Sequence, residues 1–160
     1  MRPKKVDSIA LAEYISAKVG KANHLKLQKL VYYVEAYHLA YFEKSIIDDD
    51  FEAWLHGPVS RKLWDHLKPI ANVYDNVRLK EDKTSEAIKA FKQSVIPEQV
   101  SFIDDVLKEF GKKDSYYLER LTHSELPWTE ARKGCAPDEK CENIISKETM
   151  KRYYKQNILQ

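Results

Sequence analysis

Apolar residues recur at three- and four-residue intervals along most of the chain, and glycine and proline interrupt the pattern at only a few places. Ile9, Ala12, Ile15 and Val19 outline a first helix, for which Asp7 or Ser8 can serve as N-cap and Gly20 as the stop. Asn23 caps a second helix running from about Leu25 to Glu43, with Leu27, Leu30, Val31, Val34, Leu39 and Tyr41 in phase. Between Leu30 and Phe42 this helix is apolar or aromatic almost all round, Glu35 and His38 being the clear exceptions. A helix with no polar face has to be enclosed by others, so this one is expected at the centre of the fold.

Beyond it, Ile46 and Ile47 precede the acidic run Asp48 to Asp50, and Phe51 to Trp54 reads as a short extended segment that Gly57 and Pro58 end sharply. Ser60 caps a short helix through Leu63, Trp64 and Leu67, before Pro69. Residues 70–83 fit no period, although Val73, Val77 and Leu79 allow a further extended stretch over 73–79 about a turn at Asp75 and Asn76. Helical spacing returns in Thr84 to Val95. A helix opened by Pro97 and closed by Gly111 then carries Val100, Ile103, Val106, Leu107 and Phe110. Asp114 or Ser115 caps a short helix with Leu118 and Leu121. Pro127 opens the next through Trp128 and Ala131, with Gly134 as its stop, and Ser146 caps a last helix with Met150, Tyr153 and Tyr154. No repeat or composition break divides the chain. The expectation is a mainly α, compact single-domain helical bundle around a central buried helix, with a short extended insert near residues 46–56. The domain spans 8–156, with short tails at 1–7 and 157–160.

Composition narrows the function classes. With 160 residues and 43% hydrophobic content the chain can bury one core. Its 27 Lys plus Arg nearly balance 25 Asp plus Glu, for a net charge of +2, and the two signs interleave along the chain. That leaves no concentrated basic face, so nucleic acid is not an expected partner. No window approaches the roughly 20 apolar residues needed to cross a bilayer, and Met1 to Ser8 lacks a hydrophobic signal core, so the protein is expected to be soluble, cytoplasmic and without a membrane partner. Cys135 and Cys141 are too few and too local for a secreted disulfide framework, and a reducing cytoplasm fits them better.

Candidate chemistry is thin. His123 with Cys135 could in principle form a thiol site, but nothing in their spacing requires it. Cys135 and Cys141 with His56, His66 or His123 supply nominal zinc ligands without the second cysteine pair a structural site needs. Glycines at 20, 57, 111 and 134 form neither a phosphate loop nor a dinucleotide fingerprint. The acidic pairs read as solvated turns and helix faces, so the expectation is a protein that is not an enzyme and holds no cofactor. What stands out is aromatic content: ten tyrosines and three tryptophans, residue types favoured as interface anchors. Tyr33, Tyr37 and Tyr41 form one row at fourfold spacing while Tyr32 points elsewhere, so not all can face the same core wall.

Three ordered motifs resemble a known family. Lys26-Leu-Gln-Lys-Leu-Val-Tyr-Tyr33 is similar to the signature opening the central helix of Panacea (SocA-like antitoxin) domains, formerly a phage-associated domain of unknown function. Glu52-Ala-Trp-Leu-His-Gly-Pro-Val59 resembles the family's aromatic and Gly-Pro-Val turn. Leu118, Leu121, Thr122, His123, Pro127, Trp128, Ala131 and Arg132 resemble its next segment, and Ile145 to Tyr154 its closing helix. The resemblance implies an antitoxin that neutralises its cognate toxin, encoded by an adjacent gene, through direct protein binding. Two alternatives are a proteolytic adaptor that delivers the toxin to a protease, and an enzyme reversing a toxin's modification. Partner-facing candidates are Tyr33, Tyr37, Trp54, His56, Gly57, Pro58, Val59 and Trp128. The cysteine loop from Gly134 to Asn143 and the run Asp48 to Asp50 lie outside the pattern and could tune partner choice.

Overall fold

In the computed structural model, which describes residues 1–70, 76 and 81–159, several helices begin where a side-chain oxygen accepts from an otherwise unpaired N–H group. Asp7 accepts from the Ile9 amide to start α1 (Ser8–Val19), and Asn23 from that of Lys26 to start α2 (His24–Phe42). A hairpin of β1 (Glu52–Trp54) and β2 (Gly57–Val59) follows, then α3 (Arg61–Leu67), α4 (Glu81–Ser94), α5 (Pro97–Phe110), α6 (Ser115–His123), α7 (Leu126–Ala131) and α8 (Lys147–Leu159). The protein is thus mainly α with one small antiparallel sheet, as the apolar periods require.

The central helix is α2. Its 19 residues extend about 28 Å, and Leu27, Leu30, Val31, Tyr32, Tyr33, Val34 and Ala36 are fully enclosed. α8 makes the most extensive contact with it, and α1, α3, α5, α6 and β2 cover the remaining sides. Both polar exceptions in its middle are buried and act as ties. Glu35 accepts from the Ile46 amide at 2.8 Å and from Lys147 Nζ at 2.7 Å, which fastens the loop after α2 and the start of α8. His38 bonds the Lys44 carbonyl through Nδ1 and Gln99 Nε2 through its own Nε2, 3.0 Å away. Gln99 in turn exchanges hydrogen bonds with both backbone groups of Lys4, so the segment before α1 is pinned to α5.

The hairpin differs from its sequence reading. Gly57 and Pro58 do not end the extended segment; they form the second strand, with Leu55 and His56 as the turn and Ala53 opposite Pro58. Proline fits because Ala53 directs its backbone groups away from β2: its N–H donates to the Asn143 carbonyl at 2.8 Å, and its C=O accepts from Arg132 at 2.8 Å. On that outer edge Ile145 N–H donates to the Phe51 carbonyl. The extended stretch expected over 73–79 lies outside the described residues, apart from Asn76, which bridges to Asn23. Cys135 and Cys141, read as loop thiols, are disulfide-bonded to each other.

Candidate partner-binding surface

The motif segments, distant in sequence, converge on the hairpin. Gln28 of α2 and Ser60 exchange two bonds: the Ser60 amide donates to Gln28 Oε1 at 3.0 Å, and Gln28 Nε2 donates to the Ser60 carbonyl at 3.2 Å. From the other side Trp128 Nε1 donates to the Trp54 carbonyl at 2.9 Å. Arg132 donates to the carbonyls of Ala53, Ala136 and Glu139, which joins the hairpin to the disulfide loop. The Arg132 guanidinium lies over the Trp128 ring, whose other partner is the stacked imidazole of His123 at 4.0 Å.

Beneath the hairpin lies Lys29, fully buried in α2. Gly57, at φ 110°, passes so close that a Cβ there would sit 2.4 Å from Lys29 Cε and 3.1 Å from Thr122 Oγ1. Glycine is required twice, by the backbone angle and by the space. Among the described residues the Lys29 ammonium has one hydrogen bond, a long one of 3.4 Å to the Pro58 carbonyl. Burial pulls its pKa down to about 8, and the Glu119 carboxylate opposes that pull. Glu119 itself is hydrogen-bonded to the exposed His56 at the turn, 2.9 Å away. Burial also keeps His123 below the ordinary imidazole range, and its buried Nε2 has no partner among the described residues.

The residues singled out from sequence therefore separate into inner and outer sets. Tyr33, Gly57, Pro58, Val59 and Trp128 are buried. Tyr33 stacks on Phe110 and donates to Glu125 Oε1 at 2.7 Å, and Tyr154 donates to the same oxygen at 2.9 Å. Burial raises the Glu125 carboxyl above its usual range while these two hydroxyls draw it back. Trp54 and Tyr37 are half-buried and His56 is exposed. Trp54 packs edge-on against Trp64 and under the Arg61 guanidinium, and Arg61 makes a two-pronged contact with Glu52. Along the tyrosine row exposure rises from buried Tyr33 through Tyr37 to Tyr41, which is 52% exposed.

Sequence reasoning gave no role to Gln28, Lys29, Glu119 or Glu125. Their signal was present as polar residues inside or beside apolar runs, but only the packed hairpin shows what they serve. The Cys135–His123 thiol pair does not arise, because a disulfide sulfur is not a thiolate. Among the described residues no three His, Cys, Asp or Glu side chains converge as a metal site, and no helix is long and apolar enough to cross a membrane.

Neither the curated proteins nor the solved structures contain a significant match to the chain. The family model for the SocA-like antitoxin, Panacea domain, matches residues 27–129, more than half of the chain and a span holding the core of α2, the hairpin and the Trp128 segment. The chain belongs to the SocA-like antitoxin Panacea family.

Proposed function

We propose that this protein is an antitoxin that neutralises a toxin encoded beside it by binding that toxin directly. The family match across residues 27–129 carries this reading. The geometry supports binding over turnover in one respect: the motif side chains are spent on holding the hairpin, as with Trp128, Arg132 and Gln28. What the hairpin then offers to solvent is its tip, with His56 on Glu119 and Trp54 under Arg61. The partner surface is this tip together with Tyr37 and its neighbours, and the buried members of the set, Tyr33, Gly57, Pro58, Val59 and Trp128, support it from within.

Co-expression with the neighbouring open reading frame tests the reading, scored by growth rescue and by the molar ratio of the purified complex. Rescue with a stable stoichiometric complex is the expected outcome. Rescue at low antitoxin levels without a complex would point to an enzyme, and rescue that requires a host protease would point to an adaptor.

A further inference from the structure

We infer that the apolar groove between α2, α5 and α8 seats a segment of the partner protein that carries apolar anchors flanked by lysine or arginine, an inference that rests on the binding function proposed above. The groove is a cavity of about 420 Å³ lined by Tyr37, Tyr41, Phe102, Val106, Phe110 and Ile158. Tyr41 and Ile158 are 52% and 42% exposed, an uncommon degree for large apolar side chains standing together at one depression. Tyr41 stacks flat on Phe102, and Tyr37 on Phe110, so the floor is an aromatic surface already held in place by the core. Such a floor loses little freedom when covered, which favours binding.

Charge identifies the occupant. On α5, Glu98, Phe102, Asp105 and Glu109 follow one another at helical spacing and form one wall. Asp105 and Glu109 line the groove, are exposed, and make no ion pair with any described residue. Glu98 leans over it, accepting the Tyr41 hydroxyl at 3.4 Å. On the α8 side Lys155 is bound to Glu43 at 2.6 Å, so that cation is already matched. The wall left over is acidic beside an apolar floor, and it is complementary to an amphipathic basic segment. A second copy of this chain is a poorer fit, because a two-fold contact sets each patch against itself and brings these carboxylates together.

The test titrates the purified chain against the toxin from the neighbouring gene at low and moderate salt. Asp105→Lys combined with Glu109→Lys, and separately Tyr41→Ala, are each expected to weaken binding by at least about tenfold. Tyr116→Ala, at an exposed tyrosine on α6, is expected to leave affinity unchanged. Wild-type affinity is expected to fall as salt rises. The charge-reversal pair replaces exposed side chains only, so it keeps the test valid if Tyr41→Ala unfolds. Wild-type affinity in the charge-reversed chain would overturn the groove while leaving the antitoxin reading intact. A wild-type dimer dissolved by the same variants would also overturn it, in favour of a second copy. Failure of the wild-type chain to bind would remove the antitoxin reading for that pair, and the groove proposal with it.

Discussion

At the scale of single residues the least expected arrangement is Lys29 against Gly57. A buried ammonium with, among the described residues, one long hydrogen bond and no carboxylate within 4.0 Å retains little of the attraction that would offset its lost hydration. Lys29→Met is therefore expected to leave stability unchanged or raise it by about 1 kcal/mol at neutral pH. Gly57→Ala is expected to lower it by about 1–3 kcal/mol, because φ at 110° strains any residue with a Cβ and Lys29 must also give way. In a Lys29→Ala background the clash with Lys29 disappears while the backbone strain and the Thr122 contact stay, so the two changes should couple. Urea unfolding of the four chains measures this, and a neutral Gly57→Ala would refute the backbone argument.

Among the elements, the hairpin depends on its surroundings, since three-residue strands pair too weakly to persist alone. Arg132 closes three carbonyls at once. Arg132→Met should lower stability by about 2–3 kcal/mol, since the buried Ala53 carbonyl and two partly buried ones lose their charged donor together. Trp128→Phe, which removes one indole bond, should lower it by about 1 kcal/mol. Both changes should speed hydrogen exchange at the Ala53 amide, which is held by the Asn143 carbonyl. Exchange that stays as slow as in the wild type would mean that the sheet holds itself. The hairpin was half legible in the sequence. Phe51 to Trp54 announced an extended segment, whereas Gly57 and Pro58 locally spell a turn. They became a strand because the two hydrogen bonds between Gln28 and Ser60 anchor that side of the hairpin, contacts no local pattern contains.

For the whole molecule, acid sensitivity follows from two enclosed histidines. His24 and His38 are 1% and 0% exposed, and burial lowers each pKa to about 4. In the unfolded chain they titrate near 6.5. The folded values are depressed, so the unfolded state binds more protons below pH 6.5 and stability falls as pH drops toward 4. At about 1.4 kcal/mol per unit for each group, the pair should remove about 3 kcal/mol between pH 6.5 and 5. Glu35 and Glu125 work against this, since burial raises both and the folded chain gains protons there on acidification. Urea midpoints at the two pH values, with His38→Asn as comparison, measure the effect. The variant should show a shallower decline than the wild type, and an unchanged pH dependence in the variant would contradict a neutral buried His38 imidazole.

The order of the helices, the caps at Asn23, Ser60 and Ser146, and the burial of α2 were determined by the sequence alone, which also narrowed two further caps to Asp7 or Ser8 and Asp114 or Ser115 before the structure showed Asp7 and Asp114. Apolar period and capping chemistry act within one turn of helix, and no distant partner is needed to read them. The family motifs were legible for a related reason, being short runs in fixed order. Only tertiary structure decided what the polar residues inside those runs do. Lys26 to Tyr33, the hairpin and the Trp128 segment are separated by tens of residues, and their contacts exist only after three elements pack on one another. The tyrosine row shows the same division. Its fourfold spacing places Tyr33, Tyr37 and Tyr41 on one face of α2, but which of them meets solvent depends on where α5 and α8 stop covering that face.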